Sequence, residues 1–317
     1  MNLTSLDFPS REDSAPLFEA LAHRPWAAFL DSGRPYSDQG RYDILTADPV
    51  SVLITQGERT RIRQGGGMRF SLEDPFQLLR EALGPVQPGI EGLPFCGGAI
   101  GYFGYDLGRR LERLPEIAED REHLPEMAVG IHDWALVVDH REQRSRLVGR
   151  DPARLEHYRR LLLGGAERSG KGRSLAPYRV LGEICSNMTH EAYLASIARI
   201  KRYIKDGDCY QVNFAQRFSV AAEGDPWHAY KGLRQLNAAP FGAYLNTPRC
   251  QVLSTSPERF LQVRGGQVET KPIKGTAPRG DDPIEDLMLA EMLQNSRKDQ
   301  AENVMIVDLL RNDLGKV

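Results

Sequence analysis

The chain has 317 residues, with 41 Lys and Arg set against 43 Asp and Glu, and 41% of it is apolar. That near-balance of charge leaves no basic field for nucleic acid or anionic lipid, and the apolar share is that of a globular chain with a real core. No apolar run approaches the roughly 18 residues a membrane span needs. Met1–Pro9 has neither a basic nor an apolar leader region, so a soluble, cytoplasmic protein of two domains or one large one is expected. Cys96, Cys185, Cys209 and Cys250 are far apart and make no Cys-x-x-Cys. A zinc knuckle or dithiol centre is therefore not expected, and buried thiols in a reducing compartment are.

In chain order, short strands are predicted near Ala27–Leu30, Ser51–Thr55 and Trp134–Val138. Between them, Gly97–Asp106 is rich in Gly and aromatic residues; its spacing is wrong for a dinucleotide fingerprint, and close sheet or turn packing is expected. A helix is predicted over Asp151–Leu163, ending at Gly164-Gly165. The Gly-, Ser- and Arg-rich stretch up to Pro177 reads as a linker, giving an N-terminal domain at 1–163, a linker at 164–177 and a second domain at 178–317. Gly165–Lys171 imitates a phosphate-binding loop, but Gly172 stands where a Ser or Thr should hold a metal, and a helix rather than a strand precedes it.

In the second domain Thr189 is an N-cap, Tyr193, Ile197, Ile200 and Ile204 recur at helical spacing, and Gly207 ends the helix. Residues 210–220 alternate apolar and polar, which predicts a half-buried strand. Strands follow at Gly242–Asn246 and Gln251–Thr255. Asp282-Pro283 opens one helix and Ser296 caps a last one. Clustered strands followed by helices predict an α+β fold with largely antiparallel sheet.

Glu258–Arg264 and Gln267–Lys274 flank Gly265-Gly266, a hairpin signal. A two-residue loop pairs position 258 with 273 and leaves Glu258 and Lys274 on opposite faces. A three-residue loop pairs 258 with 274, their Cβ atoms about 5 Å apart. The three-residue register is the expectation. Its plain alternative is a surface ion pair of under about 1 kcal/mol. A Lys at its reference pKa is uncharged in about one molecule in 2,500 at pH 7, a penalty of roughly 4.6 kcal/mol. A nucleophilic Lys274 therefore needs burial or a nearby cation, or Glu258 to take its proton as attack begins. The last helix is apolar around most of its circumference and is expected to be buried. Glu302 on it then wants a partner, either an Arg or Lys or a cation such as Mg²⁺, which suits oxygen ligands.

Several segments occur together: Gly207–Asn213, Ser256–Phe260, Lys271–Thr276, Ala301–Asp313, Gly40–Pro49 and Gly101–Asp106. In this order they resemble the chorismate-utilising enzymes over nearly the whole chain. The resemblance implies antiparallel sheets packed as a sandwich with helices outside, as in anthranilate synthase component I, incomplete at the C-terminus. Anthranilate synthases typically have Ala where Lys274 stands. Isochorismate and salicylate synthases have a basic Lys where Gln211 stands. The pair found here is similar to the branch that makes 4-amino-4-deoxychorismate for p-aminobenzoate and folate synthesis.

That branch implies Mg²⁺ at Glu302 holding the ring carboxylate of chorismate, Lys274 attacking ring C2, and Glu258 as the acid for the departing C4 hydroxyl. Gly275, Thr276, Gln211 and Asn213 would contact substrate, and ammonia would come from a separate glutamine amidotransferase subunit. It also implies further metal- and substrate-binding residues beyond position 317, so that the 317-residue chain is expected to be inactive. Phe29–Ser32 partly matches a tryptophan-binding motif of relatives, making Asp31 and Ser32 the candidates for such a site; plain strand packing is the alternative. Two other readings stay open: anthranilate synthase component I, and a non-catalytic ligand-binding subunit in which Lys274 and Glu258 merely pair.

Overall fold

The computed structural model describes residues 3–168 and 176–316. In chain order the elements are β1 (Thr4–Phe8), α1 (Ala15–Phe18), β2 (Ala28–Asp31), β3 (Tyr42–Thr46), β4 (Ser51–Gln56), β5 (Arg59–Gln64), β6 (Gly67–Ser71), α2 (Pro75–Leu83) and β7 (Gly98–Phe103). A 3₁₀ turn at Tyr105–Arg110 precedes β8 (Met127–His132), β9 (Trp134–Asp139), β10 (Arg144–Gly149) and α3 (Pro152–Arg168). Then come β11 (Arg179–Ser186), α4 (His190–Asp206), β12 (Phe218–Glu223), α5 (Pro226–Leu236), β13 (Phe241–Asn246) and β14 (Gln251–Ser256). A small hairpin, β15 (Gln262–Arg264) and β16 (Gln267–Glu269), and the helices α6 (Pro283–Gln294) and α7 (Arg297–Leu314) complete the described chain.

These elements form two compact units, residues up to 171 with 233 onward, and residues 172–232. The first holds a seven-stranded antiparallel sheet in the order β1-β10-β9-β3-β2-β13-β14 and a five-stranded one in the order β6-β5-β4-β8-β7. One chain segment feeds both: β8 lies in the smaller sheet and, past Asp133, β9 lies in the larger, with every residue of both strands buried. Ile100 of β7 packs with Ala28 of β2 and Leu245 of β13, so the inner faces of the two sheets share a core. The α+β, antiparallel expectation holds. One unit boundary, at 171/172, falls inside the expected linker 164–177, but residues 233 onward return to the first unit, where β13 pairs with β2. Backbone pairing between distant segments decides where the chain after the linker belongs.

Gly97–Asp106 forms β7 and the start of the 3₁₀ turn, as close sheet packing requires. A Cβ at Gly101 would collide with the carbonyl oxygen of Ala128 on β8. On the far side of this sheet α2 packs Leu78 and Leu79 against Leu53 and Ile62; its N-cap Asp74 accepts a hydrogen bond from the Gln77 N–H at 2.8 Å.

Helix α3 runs through Gly164-Gly165 to Arg168 rather than stopping at the glycines. Each Gly costs a helix about 1 kcal/mol relative to Ala. That is small beside the anchoring upstream, where Leu155, Tyr158 and Leu162 are buried and Tyr158 stacks on Trp134 with ring centroids 3.7 Å apart. Residues 169–175, half of the expected linker and the end of the Gly165–Lys171 segment, lie outside the described residues.

In the second unit, α4 has the predicted caps: the Thr189 hydroxyl accepts from the Ala192 N–H at 3.2 Å, and Gly207 is left-handed at φ +85°. The strand expected over 210–220 is confined to Phe218–Glu223, which pairs with β11; residues 211–217 carry no ladder. Alternation shows which face a strand would present, but a strand also needs a neighbour, and β11 reaches only the later residues.

Candidate active site

Residues 256–276 carry the hairpin and the Lys274 loop. The Ser256 hydroxyl accepts from the Glu258 N–H at 3.3 Å and donates to the Glu258 carbonyl at 2.8 Å, fixing the turn after β14. At the hairpin tip Gly265 and Gly266 both have positive φ, +54° and +76°. Two such residues form the two-residue turn whose twist matches paired strands. The register is accordingly Gln262↔Glu269, Val263↔Val268 and Arg264↔Gln267.

This overturns the three-residue register. Position 258 comes opposite 273, and one oxygen of the Glu258 carboxylate accepts the Ile273 N–H at 2.9 Å. Lys274 lies one position beyond that contact. It is half-buried and forms no ion pair with Glu258 or any other acid among the described residues. The plain cross-strand salt bridge is thus absent, and so is a direct Glu258–Lys274 hydrogen bond.

Gly275 turns the loop at φ +79°, and an added Cβ would lie 2.9 Å from Leu293 Cδ1 and 3.0 Å from Asp299 Cβ. Only a residue with no side chain brings the Lys274 loop this close to the junction of α6 and α7. Neither the Gly275 nor the Thr276 N–H donates to a protein acceptor among the described residues, which leaves two donors on consecutive residues for an anionic ligand. Thr276 is exposed.

Asp299 was not singled out from sequence. It stands in the first turn of α7, its N–H bonded to the Ser296 cap at 3.3 Å, and three residues before Glu302. The i, i+3 spacing puts both carboxylates on one side of the helix; that spacing was the signal available. Glu302 is half-buried and unpaired among the described residues, while Arg311 of the same helix pairs with Asp308 at 3.5 Å. No group of three or more His, Cys, Asp or Glu side chains suited to a metal occurs among the described residues. Asp299 and Glu302 are the side chains here that could hold a cation, with any remaining positions of its shell left to water or substrate.

The expected burial of the last helix is not found. No residue of α7 is buried, and Val304, Met305, Val307 and Leu309 are 43–60% exposed. Among the described residues, α6 and the Lys274 loop are the neighbours α7 meets.

Gln211 and Asn213 belong to the second unit, Gln211 half-buried and Asn213 exposed, in the segment that Phe214 ties to α4 by stacking on Tyr193 at 5.5 Å. Asp31 and Ser32 lie at the end of β2 in a buried polar network. Arg234 Nε donates to Asp31 Oδ2 at 2.8 Å, with the two side chains 3% and 1% exposed. The Ser32 N–H and hydroxyl donate to Asp43 Oδ1 at 2.8 and 2.6 Å, and Asp43 Oδ2 receives the Ser14 hydroxyl and His140 Nε2 at 2.6 and 2.7 Å. Burial pushes the Asp43 carboxyl up, but His140, Ser14 and Ser32 together hold it below the usual carboxylate range. The hydrogen-bonding capacity of Asp31 and Ser32 is used inside the protein, as plain packing would give.

Residues 34–317 match the family described as chorismate binding enzyme. The chain belongs to that family. It is 44% identical to aminodeoxychorismate synthase component 1 of Escherichia coli K12 over 97% of this chain and 67% of that protein. It is 37% identical to anthranilate synthase component 1 of Thermus thermophilus over 94% of this chain and 64% of that protein. Among solved structures it is similar to anthranilate synthase component I from Streptococcus pneumoniae, with a TM-score of 0.74 and 27% identity over 89% of this chain and 63% of that one. The chain thus spans about two thirds of the length of these relatives. The family match takes in the Lys274 loop, both acids of α7 and Glu258. No helix among the described residues is long and apolar enough to cross a membrane.

Proposed function

We propose that this chain carries the amine, acid and metal-binding groups of an aminodeoxychorismate synthase component 1, which turns chorismate and ammonia into 4-amino-4-deoxychorismate and water. The observation that carries the reading is the approach of Gly275 to Asp299, which brings the half-buried, unpaired Lys274 loop against the helix bearing Glu302. A relative at 44% identity with that name, against 37% for the anthranilate synthase, supports this branch over the other.

Lys274 Nζ forms a bond to ring C2, the ring double bonds shift, and the C4 hydroxyl leaves as water. Glu258 has one oxygen tied to the Ile273 N–H and the other without a partner among the described residues, so it is held in place and can give that hydroxyl a proton. Ammonia then bonds to C4, the double bonds return, and Lys274 departs with its electron pair. The free N–H groups of Gly275 and Thr276 orient a substrate carboxylate. Asp299 and Glu302 would hold Mg²⁺. When bound, the ion supplies positive charge that fixes the ring carboxylate and favours an uncharged Lys274. Gln211 is an amide and cannot serve as a base, consistent with amine rather than water addition. A separate amidotransferase component would supply the ammonia.

The test is intact-protein mass spectrometry after rapid acid quench of the enzyme at the full length of its relatives, with chorismate and Mg²⁺ and without ammonia. A chorismate-derived adduct that is lost in Lys274→Ala is expected. Ammonia-dependent product formation that survives undiminished in Lys274→Ala would refute the nucleophile.

A further inference from the structure

The five-stranded sheet carries its core-facing surface beyond the part that is covered. Cross-strand pairing puts Met68 and Phe70 of β6 directly opposite Arg63 and Arg61 of β5, and these opposite Val52 and Ile54 of β4. Val52 and Ile54 are buried beneath Trp26. One strand further out the same face is open: Met68 is 64%, Phe70 61% and Leu72 68% exposed. Beside this apolar row stand Arg59, Arg61 and Arg63, all exposed and none in an ion pair among the described residues. Beyond them β6 is the edge of the sheet, so its outward backbone N–H and C=O groups have no strand partner. Single exposed apolar residues need no explanation, but a contiguous row flanked by uncompensated like charge and a free edge does.

The charge selects the occupant. Two copies meeting on this face would bring six uncompensated arginines together, three from each, a like-charge cost that a surface carrying acids around an apolar centre avoids. We propose that the uncovered β5–β6 face docks the acidic, apolar-centred surface of a second protein. Resting on the reading above, that protein is the amidotransferase component. Apolar contact with Met68, Phe70 and Leu72 holds the partner, while the arginine row sets its approach and register.

The experiment measures binding of the purified cognate amidotransferase component to the 317-residue chain by calorimetry, for the unaltered chain, Arg61→Glu/Arg63→Glu, Phe70→Ser, and Arg199→Glu as a charge control elsewhere. These side chains are exposed, so the variants should keep the parent circular dichroism and melting temperature. Expected are a loss of affinity of at least about tenfold in the first two variants and none in the control. A weaker dependence on salt is also expected in the double charge reversal. Equal affinity of all four proteins would overturn the docking face while leaving the enzymatic reading intact. No binding by the unaltered chain would overturn both the occupant and the partner reading. Self-association in sedimentation that disappears in Phe70→Ser would assign the face to a second copy, and would also overturn the proposal.

Discussion

Glu258 and Ile273 are joined by a hydrogen bond from the Ile273 N–H to the Glu258 carboxylate at 2.9 Å, across a hairpin whose turn is Gly265-Gly266. The acid is therefore tied to the backbone just before the amine and is not paired with it. Glu258→Gln keeps an acceptor for that N–H but gives up the carboxyl proton. The expected outcome, in the enzyme at the full length of its relatives, is an unchanged melting temperature with product formation reduced by about 10²-fold or more, the usual share of a general acid. A Gln variant that turns over normally would remove Glu258 from the chemistry.

Gly275 has φ +79° and stands against Leu293 and Asp299. In Gly275→Ala the left-handed backbone costs about 1–2 kcal/mol, and the Cβ pushes the loop off α7. A drop in urea stability together with a loss of adduct formation at Lys274 is expected. If stability falls while the adduct forms at the parent rate, the loop's position is not what readies the amine.

Glu302 has no protein partner in the described chain, whereas an internal salt bridge would have given it one. Glu302→Gln should weaken Mg²⁺ binding in calorimetry at least about tenfold without lowering the melting temperature. A marked destabilisation with unchanged Mg²⁺ affinity would show a structural role instead.

The Arg234–Asp31 pair is fully enclosed and links α5 to β2. Asp31→Ala leaves the buried Arg234 with Asp13 at 2.7 Å as its remaining acid, so it should lower unfolding free energy by about 3 kcal/mol, the low end for a broken buried pair, read from urea denaturation. A tryptophan titration of the same variant separates structure from ligand binding: parent-like heats of tryptophan binding in a folded Asp31→Ala would exclude that side chain from any such site.

His132 is buried in β8, and burial first, then the charge of Arg154, bring its pKa from 6.5 down to about 4. The folded state thus resists a proton that the unfolded chain accepts. Above pH 6.5 the group is neutral in both states and has no effect. Between pH 6.5 and 4 it should reduce stability by up to about 1.4 kcal/mol per pH unit, and below that no further. Urea midpoints across this range should be flatter for His132→Gln; a parallel pH dependence would assign the acid sensitivity to other groups.

The sequence by itself determined what depends on neighbours along the chain. Thr189, Gly207, Asp282 and Ser296 mark helix ends because capping is a contact within one turn, and all four act as predicted. The motifs holding Glu258, Lys274 and Glu302 were legible for a similar reason, since their chemistry lies in residue type and order. The tertiary structure decided what depends on who lies opposite. Two left-handed glycines, not three residues, set the hairpin register and so separated Glu258 from Lys274. Pairing of β13 with β2 returned residues 233 onward to the first unit, which composition had not suggested. Asp299 gained meaning only when Gly275 came to rest on it. Pattern specifies which faces are apolar or charged, but only packing between distant segments fixes which of those faces meet.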